Sequence, residues 1–422
     1  MQPLRAVKGM NDVLPGEMPR WRRVEETFRR ITTGYGYGEA RLPVVEPTAL
    51  FVRSVGDTTD IVEKEMYTFV DKGDHSLTLR PEGTASAVRA YIQHAVHGQE
   101  PVTKWTYLGP MYRRERPARG RYRQFYQLGA EIYGDPGPHV DAELIEMLVR
   151  FLHALGIEDV EVLLSSLGSG ETRARYRDAL IAYLEPHRER LSEDSQRRLT
   201  LNPLRVIDSK AEADKAVAAD APSILDFLSG EDRAHFDELQ RSLEALGVPH
   251  RVDPTIVRGL DYYTRTLFEV KGRGGELGAQ DTICGGGRYD ELVQSLGGPP
   301  TPAIGFALGV ERLLLMMGDE PSRATADAFV VVASPALRVE ASVLLRDLRA
   351  VGLTADADLR GKSLKSQMRR ADRSGARVAL IVGEDEHARG AVQIRDLSKK
   401  TQGEAARGET VARVQTILED SE

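Results

Sequence analysis

This chain of 422 residues has little cysteine and no long apolar run. With a single cysteine, Cys284, it can form neither an intramolecular disulfide nor a zinc cage of several cysteines, which fits a reducing compartment. No apolar run reaches the roughly 18 residues that a membrane span needs, and no N-terminal stretch has the apolar core of a signal peptide. We therefore expect a cytoplasmic protein with no membrane partner.

Lysine is also scarce, so arginine supplies most of the 57 basic residues, and an isolated arginine is weak evidence for a phosphate site. The net charge of -7 argues against nonspecific coating of nucleic acid but leaves room for a local basic surface. A hydrophobic content of 41% in a chain of this length predicts two or three domains with sizeable cores.

The segment from Lys104 to Gly134 contains the most specific pattern in the chain. Trp105 to Arg113 alternates like a strand, Arg116 to Arg121 is a basic turn broken by proline and glycine, and Phe125 to Tyr133 resumes the strand pattern. The pattern predicts a β-hairpin with a long cationic tip.

Charged and polar residues of this hairpin share faces of its strands. Arg113 and Glu115 lie two residues apart on the first strand, and Gln127, Gly129 and Glu131 share a face of the second. Charges that face inward on a sheet are costly unless they are paired or meet a polar ligand. We interpret this face as a pocket for a ligand with an anionic and a cationic end; a solvated, arginine-rich hairpin is the alternative.

Before the hairpin, Glu17 to Thr33 has the spacing of an amphipathic helix, and Arg41 to Glu46 reads as a short strand, with Pro43 indicating an edge or a bulge. Leu77 to Arg80 reads as a strand, followed by a helix that begins near Thr84. Thr84 is a good helix N-cap, which competes with any binding role for its hydroxyl.

After the hairpin, His139 to Leu155 predicts a helix and Val160 to Leu164 a buried strand. Glu171 to Gly247 is helical and charge-dense, which predicts a helical insertion. The β pattern returns at His250, and Ala303 to Leu313 runs from strand into helix.

A polar linker from Gly318 to Ala326 precedes a compact α/β module. Its most basic stretch, Arg360 to Arg373, is either a solvated helix face or a nucleic-acid contact. The predicted strands of the module are Ala328–Ala333, Thr354–Ala357, Val378–Val382 and Val392–Arg395, and the predicted helices are Ala336–Val351 and Leu364–Ala371.

Several blocks together resemble the histidyl-tRNA synthetases, a family of class II aminoacyl-tRNA synthetases. Gly109 to Arg114, Gly120 to Phe125 and the Gln-Leu-Gly-x-Glu run that ends at Glu131 resemble motif 2. The remaining blocks are Lys8–Asp12, the motif 1 region of Glu17–Glu46, the histidine-specific segments Arg258–Thr266 (RGLDYYTRT) and Cys284–Asp290 (CGGGRYD), and the motif 3 segment Ala303–Leu313.

The resemblance implies an α+β fold, with a class II antiparallel sheet flanked by helices. It divides the catalytic core into residues 1–170 and 248–322, separated by a helical insertion at 171–247, and assigns 327–422 to an anticodon-binding domain. Motif 1 implies a homodimer; a helix that packs only on its own sheet is the competing interpretation.

The implied reaction uses ATP and Mg2+. The carboxylate of L-histidine attacks the α-phosphate to give histidyl-adenylate and pyrophosphate, and the terminal ribose hydroxyl of tRNA(His) then takes the histidyl group. For the general base of the second step, the adenylate's phosphate oxygen and the histidine substrate are both open. No metal ligands are expected in the protein itself.

The resemblance also implies roles for individual residues. Arg258 and Arg113 are the catalytic arginines at the α-phosphate. The ATP-binding residues are Arg113, Glu115 for the adenine amino group, Phe125 for adenine stacking, and Arg121 and Arg312 for the β- and γ-phosphates. The histidine-binding residues are Glu82, Thr84 and Gln127 for the α-ammonium group, Glu131 and Tyr263 for the imidazole nitrogens, and the adjacent Tyr262.

Two other functions compete with this interpretation. A catalytically inactive, synthetase-like regulatory subunit of histidine biosynthesis would usually lack the C-terminal module and the ATP-binding arginines, and this chain has both. A class II synthetase for proline or threonine would share the architecture but not the RGLDYY block.

Overall fold

The computed structural model of the protein describes residues 3–56, 59–207, 209, 211–256, 260–272, 282–318 and 326–420. The chain divides between positions 320 and 321 into two compact units. No helix among the described residues combines the length and apolarity needed to cross a membrane.

The first unit contains two β-sheets. Its strands are β1 (Gly38–Glu39), β2 (Val45–Pro47), β3 (Tyr67–Val70), β4 (Ser76–Leu79), β5 (Thr103–Tyr112), β6 (Gln124–Tyr133), β7 (Val160–Ser166), β8 (His250–Val252), β9 (Thr264–Gly272), β10 (Thr282–Arg288) and β11 (Ala303–Gly309). Eight of them form the main sheet in the order β1-β5-β6-β11-β10-β9-β7-β8, and β2, β4 and β3 form a small antiparallel sheet. In the main sheet the β1–β5 and β7–β8 pairs are parallel and the others are antiparallel, so the predicted antiparallel α+β sheet is confirmed.

The helices of this unit cover the sheet and form the insertion. They are α1 (Met18–Gly34), α2 (Thr48–Val55), α3 (Thr84–Gln93), α4 (Pro138–Ala154), α5 (Gly170–Leu184), α6 (Glu193–Leu201), α7 (Leu204–Ile207), α8 (Glu212–Ala218), α9 (Gly230–Ala245), α10 (Leu292–Ser295) and α11 (Val310–Met316). A single core joins α1 and α4 to one face of the sheet, where Phe28 contacts Phe151 edge to face with ring centroids 5.2 Å apart.

The segment expected to be a helical insertion contains α5 to α9, and its described residues include no strand. Its first helices enclose a core of their own that includes Tyr176, Leu184 and Val206. Phe236 and Leu239 of α9 belong instead to the core beneath the main sheet. The last helix of the insertion is therefore packed as part of the sheet's supporting layer.

The strand predicted at Arg41 to Glu46 is wrong over most of its length, because strand pairing covers only Val45–Pro47. The guanidinium of Arg80 donates to the carbonyl oxygens of Leu42 and Pro43, at 2.9 and 3.4 Å. These two carbonyls therefore bond to the side chain of Arg80 and not to a neighbouring strand. The edge strand or bulge predicted from Pro43 is not formed at this position.

The second unit contains the predicted α/β module with three further elements. Its strands are β12 (Ala328–Val332), β13 (Ala355–Ala357), β14 (Val378–Val382), β15 (Ala391–Asp396) and β16 (Thr401–Ala406), in the order β13-β12-β14-β15-β16. Its helices are α12 (Arg338–Ala350), α13 (Leu364–Arg373), α14 (Glu384–Ala388) and α15 (Thr410–Glu419). The sequence interpretation missed β16, α14 and α15; β16 is an exposed edge strand with little apolar alternation.

Candidate active site

The hairpin of β5 and β6 places the predicted polar residues on one face of the main sheet. Cross-strand pairing sets Tyr107 opposite Gly129 and Gly109 opposite Gln127. On the other side of β6, Gly305 of β11 pairs with Glu131. Because residues that face each other across a ladder point to the same side, Gln127, Glu131 and the side chain of Tyr107 share this face.

Glu131 is fully buried on this face and is surrounded by hydroxyl groups. Thr84 Oγ1 and Tyr107 OH donate to its Oε1 at 2.8 and 3.0 Å, and Tyr289 OH donates to its Oε2 at 2.5 Å. Burial raises the pKa of Glu131 to about 8, although these three hydrogen bonds stabilise the charged form and act in the opposite direction. Among the described residues its partners are hydroxyls rather than an arginine.

Glu82 is also buried, and its carboxylate caps the start of α3. Its two oxygens accept the backbone N–H groups of Thr84 and Ala85, at 2.6 and 2.9 Å. Burial raises its pKa, against the effect of these two hydrogen bonds. The N-cap interpretation of Thr84 is wrong: Gly83 is the N-cap, and Thr84 is the first helical residue, whose hydroxyl is directed to Glu131.

Gln127 lies between Glu131 and the basic end of the face. Its side chain is buried, and its Oε1 has no hydrogen-bond partner among the described residues. A buried amide oxygen without a partner is costly, so a ligand donor such as an ammonium group would satisfy it.

Arg113 follows β5 directly and lies at the other end of the face. Its Nε donates to the carbonyl oxygen of Pro81 at 2.9 Å, and its guanidinium lies over the ring of Phe125, 5.3 Å from the centroid. Neither of its terminal nitrogens has a hydrogen bond within the described part of the chain. The carbonyl and the ring therefore orient Arg113 while leaving its outer edge for an anion.

Glu115 and Arg121 are brought together at the tip of the hairpin. Their side chains form a half-exposed ion pair, with Arg121 NH1 3.8 Å from Glu115 Oε2. An exposed pair of this kind stabilises the fold by no more than about 1 kcal/mol, so a ligand can separate it at little cost.

Tyr262 and Tyr263 are both buried, with ring centroids 4.8 Å apart. Tyr263 packs so closely against Gly287 that a Cβ there would lie 3.0 Å from its ring. Gly287 on β10 pairs with Gly305 on β11, which in turn pairs with Glu131 on β6, so one strand, β11, separates the strand that Tyr263 packs against from the strand that carries Glu131. Arg258 lies outside the described residues.

Arg312 is half-buried in the first turn of α11. The adjacent Glu311 accepts the backbone N–H of Tyr126 through both carboxylate oxygens, at 3.0 and 3.1 Å, and burial raises its pKa to about 7. Glu311 thus ties α11 to β6, and a salt bridge is not its main interaction in this structure.

Tyr107, Tyr289 and Gly305 were missed as site residues. A Cβ on Gly305 would lie 1.6 Å from Glu131 Oε2, so this glycine makes room for the carboxylate. A tyrosine opposite a glycine in the predicted hairpin was the available signal for Tyr107. No local pattern connects Tyr289 with Glu131, because they are 158 positions apart.

A buried ion pair fixes the end of β10 next to Tyr289. Arg288 and Asp141 are both fully buried, and the guanidinium makes two contacts with the carboxylate, at 2.6 and 2.9 Å. Thr266 donates a further hydrogen bond to Asp141 at 2.6 Å. Burial raises the pKa of Asp141 to about 6 despite the neighbouring Arg288.

Comparison with known proteins identifies the family to which this arrangement belongs. A family model described as histidyl-tRNA synthetase matches residues 9–313, which is more than half of the chain. The chain belongs to the histidyl-tRNA synthetase family. A second model, described as an anticodon binding domain, matches residues 327–417 and so coincides with the second unit.

Relatives within the histidyl-tRNA synthetase family match over nearly the full length. The chain is 55% identical over 401 residues to a histidine–tRNA ligase of Sorangium cellulosum, covering 95% of this chain and 94% of the relative. It is 47% identical to that of Geobacter metallireducens, covering 95% and 97%. The crystal structure of apo histidyl-tRNA synthetase from S. aureus superposes with a TM-score of 0.83 at 35% identity, covering 98% of this chain and all of that one.

Proposed function

We propose that this chain activates L-histidine with ATP and transfers the histidyl group to tRNA(His). The observation that carries the proposal is the arrangement of charge on one sheet face: Glu131 lies at one end and Arg113 at the other, with Gln127 between them and Glu82 next to Pro81, whose carbonyl oxygen Arg113 contacts. Such a face suits a substrate that has a cationic and an anionic end and that has to lie beside a bound polyphosphate.

The carboxylate end of the face is suited to histidine. The unpartnered Oε1 of Gln127 and the carboxylate of Glu82 can accept from the α-ammonium group, which has three donors and no acceptor. The hydroxyl of Thr84 donates to Glu131 and keeps lone pairs for the same ammonium. Glu131 can then take one imidazole nitrogen and Tyr263 the other, with Tyr262 closing the pocket behind them.

The basic end is suited to ATP. Arg113 would contact the α-phosphate, and adenine stacked on Phe125 would lie beside the same guanidinium. On ATP binding, Glu115 and Arg121 would separate from each other. Glu115 would then accept from the adenine amino group, and Arg121 would bind the terminal phosphates together with Arg312.

Activation of histidine requires positively charged groups that stabilise the negative charge developing at the α-phosphate in the transition state. Arg113 is held for this task by the carbonyl of Pro81, and the family resemblance assigns the same task to Arg258. Two arginines on either side of the reacting phosphate would orient the carboxylate for in-line attack and stabilise the pentavalent transition state.

Mg2+ would enter with the nucleotide. Within the described ranges, no group of three or more His, Cys, Asp or Glu side chains is placed to hold a metal ion. Mg2+ at phosphoryl-transfer sites commonly binds through substrate phosphates, waters and one or two carboxylates, and so does not require a cluster of three protein ligands. Its chemistry there would be to neutralise phosphate charge.

The second unit would bind the anticodon stem of the tRNA. Its helix α13 carries Arg369 and Arg373, which are exposed and whose charge phosphates can neutralise. Arg370 on the same helix is paired with Asp356 and Asp358, at 3.2 and 3.5 Å. Because a charged tRNA serves protein synthesis, we place the reaction in the cytoplasm.

A homodimer is the assembly that we propose for the first unit. The outward face of the small sheet exposes Val45 by 40% and Phe69 by 44%, and Leu77 lies opposite Phe69 on the same side. An apolar sheet face of this kind indicates a protein contact, and a second copy of the chain is the occupant that motif 1 implies. Phe69→Glu is expected to shift the sedimentation coefficient from dimer to monomer.

The regulatory-subunit alternative is less well supported. An inactive subunit has no need of the ATP-binding residues Arg113, Arg121 and Arg312 together with the buried amino-acid ligands Gln127 and Glu131.

One assay separates these functions. The exchange of pyrophosphate into ATP is measured with each of the standard amino acids in turn. We expect exchange with histidine and with no other amino acid. Charging of tRNA(His) transcripts then tests the second step. Exchange with another amino acid, or with none, would refute the proposal.

A further inference from the structure

We propose that Tyr107 is a positioning residue for amino-acid selection, whose hydroxyl helps to hold Glu131 so that one acceptor position remains for an N–H group of the ligand. This inference rests on the proposed histidine pocket and adds to it a residue that would not itself touch the substrate.

The first argument comes from counting acceptor positions. A carboxylate offers about four lone-pair positions, two on each oxygen. Thr84 and Tyr107 occupy those of Oε1, and Tyr289 occupies one of Oε2. Among the described residues, one position on Oε2 is left, so the pocket can accept one N–H donor and penalises a ligand without one.

The second argument comes from how tightly the Tyr107 ring is held. The side chain is 2% exposed and is wedged between two glycines: a Cβ on either Gly83 or Gly129 would lie 2.2 Å from a ring carbon. Ala87 and Met111 pack around the same ring. The ring therefore holds the hydroxyl next to Glu131 Oε1 at 3.0 Å, with Thr84 Oγ1 as a second, longer contact at 3.5 Å.

The third argument concerns the charge of Glu131. Each donated hydrogen bond stabilises the carboxylate relative to the acid, so the Tyr107 hydroxyl lowers a pKa that burial raises. The titratable groups around this carboxylate include Glu82 next to α3, Tyr37 before β1, Tyr107 on β5, Tyr133 on β6, Tyr262 before β9 and Tyr289 after β10. Burial raises the pKa of all five tyrosines further from neutrality, whereas it raises the pKa of Glu131 to about 8. Burial raises the pKa of Glu82 as well.

Tyr107→Phe tests the inference because it keeps the ring and removes only the donor. We expect the histidine KM in pyrophosphate exchange to rise about 5- to 20-fold, less than the roughly 10- to 100-fold for a hydrogen bond that a charged group makes directly to the substrate, because Tyr107 acts only through Glu131; kcat should change by less than about twofold. The inflection in histidine KM against pH should also move to higher pH, because the carboxylate loses a donor.

Tyr37→Phe is the matched control. Tyr37 is 6% exposed, and its hydroxyl has no hydrogen-bond partner within the described ranges, so this variant removes a buried hydroxyl with no partner to lose. It is expected to leave the histidine KM and its pH profile unchanged. A second probe is Tyr107→3-fluorotyrosine, whose more acidic hydroxyl is a stronger donor and should move the inflection to lower pH.

The outcomes separate this inference from the proposed function. If the wild-type chain exchanges with histidine and Tyr107→Phe keeps both its KM and its pH profile, the positioning role is refuted and the proposed function stands. If Tyr107→Phe is too unstable to assay, an unmoved inflection in the fluorotyrosine variant refutes the role instead. Absence of wild-type exchange with histidine would refute the proposed function itself.

Discussion

Replacing Glu131 by glutamine tests the proposed imidazole contact directly. Glutamine keeps the shape of the side chain, and the hydroxyls of Thr84, Tyr107 and Tyr289 can rotate to accept from its amide nitrogen as well as donate to its oxygen. The free energy of unfolding should therefore change by no more than about 1 kcal/mol near pH 7.

Histidine binding should respond much more strongly. A hydrogen bond to a charged group contributes about 1.5–3 kcal/mol, which corresponds to a rise of roughly 10- to 100-fold in the histidine KM. The assay is pyrophosphate exchange over a range of histidine concentrations, alongside calorimetric melting. A lower melting temperature with an unaltered KM would show instead that Glu131 serves only the stability of the fold.

The pH dependence of stability gives an independent check. Burial raises the folded-state pKa of Glu131 from 4.5 to about 8, so the folded chain binds a proton more tightly than the unfolded chain does. This contribution to stability is present below pH 4.5 and is lost as the pH rises to about 8. Glu131→Gln lacks this titration. The melting temperature of the variant minus that of the wild type should therefore increase as the pH is raised from 5 to 9.

Glu311→Gln is the control for a buried carboxyl outside the proposed site. Burial raises the pKa of Glu311 to about 7, and the amide oxygen of glutamine can still accept the backbone N–H of Tyr126. We expect the pH dependence of melting to change in this variant and the histidine KM to stay the same. An equal rise of KM in both variants would show that the effect does not depend on the imidazole contact.

Three further predictions concern other parts of the chain. Arg258→Ala should lower the rate of adenylate formation by about 10²- to 10³-fold, roughly 2.7–4 kcal/mol in the barrier, with a smaller effect on histidine binding; an unchanged turnover number in exchange would contradict its catalytic role. Deletion of the chain after Thr325 should leave histidine-dependent exchange measurable and strongly reduce tRNA charging, whereas equal loss of both would show that the second unit is needed for folding or assembly. Arg288→Met should lower the unfolding free energy by about 3–5 kcal/mol in urea denaturation, because it leaves Asp141 buried without its cation, and the double variant Asp141→Leu/Arg288→Met should recover much of the loss. A double variant as unstable as the single would show instead that the stability comes from the hydrogen bonds that Arg288 donates to the carbonyl oxygens of Asp135 and Gly137, at 3.1 and 2.6 Å.

The sequence by itself determined the local elements of this protein. Alternation of apolar residues predicted the hairpin of β5 and β6, and helical spacing predicted α1 and α4 to within a residue or two. These predictions succeed because the periods of 2 and 3.6 residues follow from backbone geometry and the need to bury one face. The shared face of Gln127, Gly129 and Glu131 follows from the same periodicity.

Only the tertiary structure decided what each buried polar group contacts. Glu131 receives its hydrogen bonds from residues 24, 47 and 158 positions away, and Arg80 bonds to carbonyls 37 and 38 positions away. Thr84 had the composition of an N-cap, but the folded chain caps α3 with Glu82 and directs the Thr84 hydroxyl to Glu131. A buried polar group is satisfied by whichever partner the packed strands and helices bring within about 3 Å, and that choice depends on register and packing that no local pattern encodes.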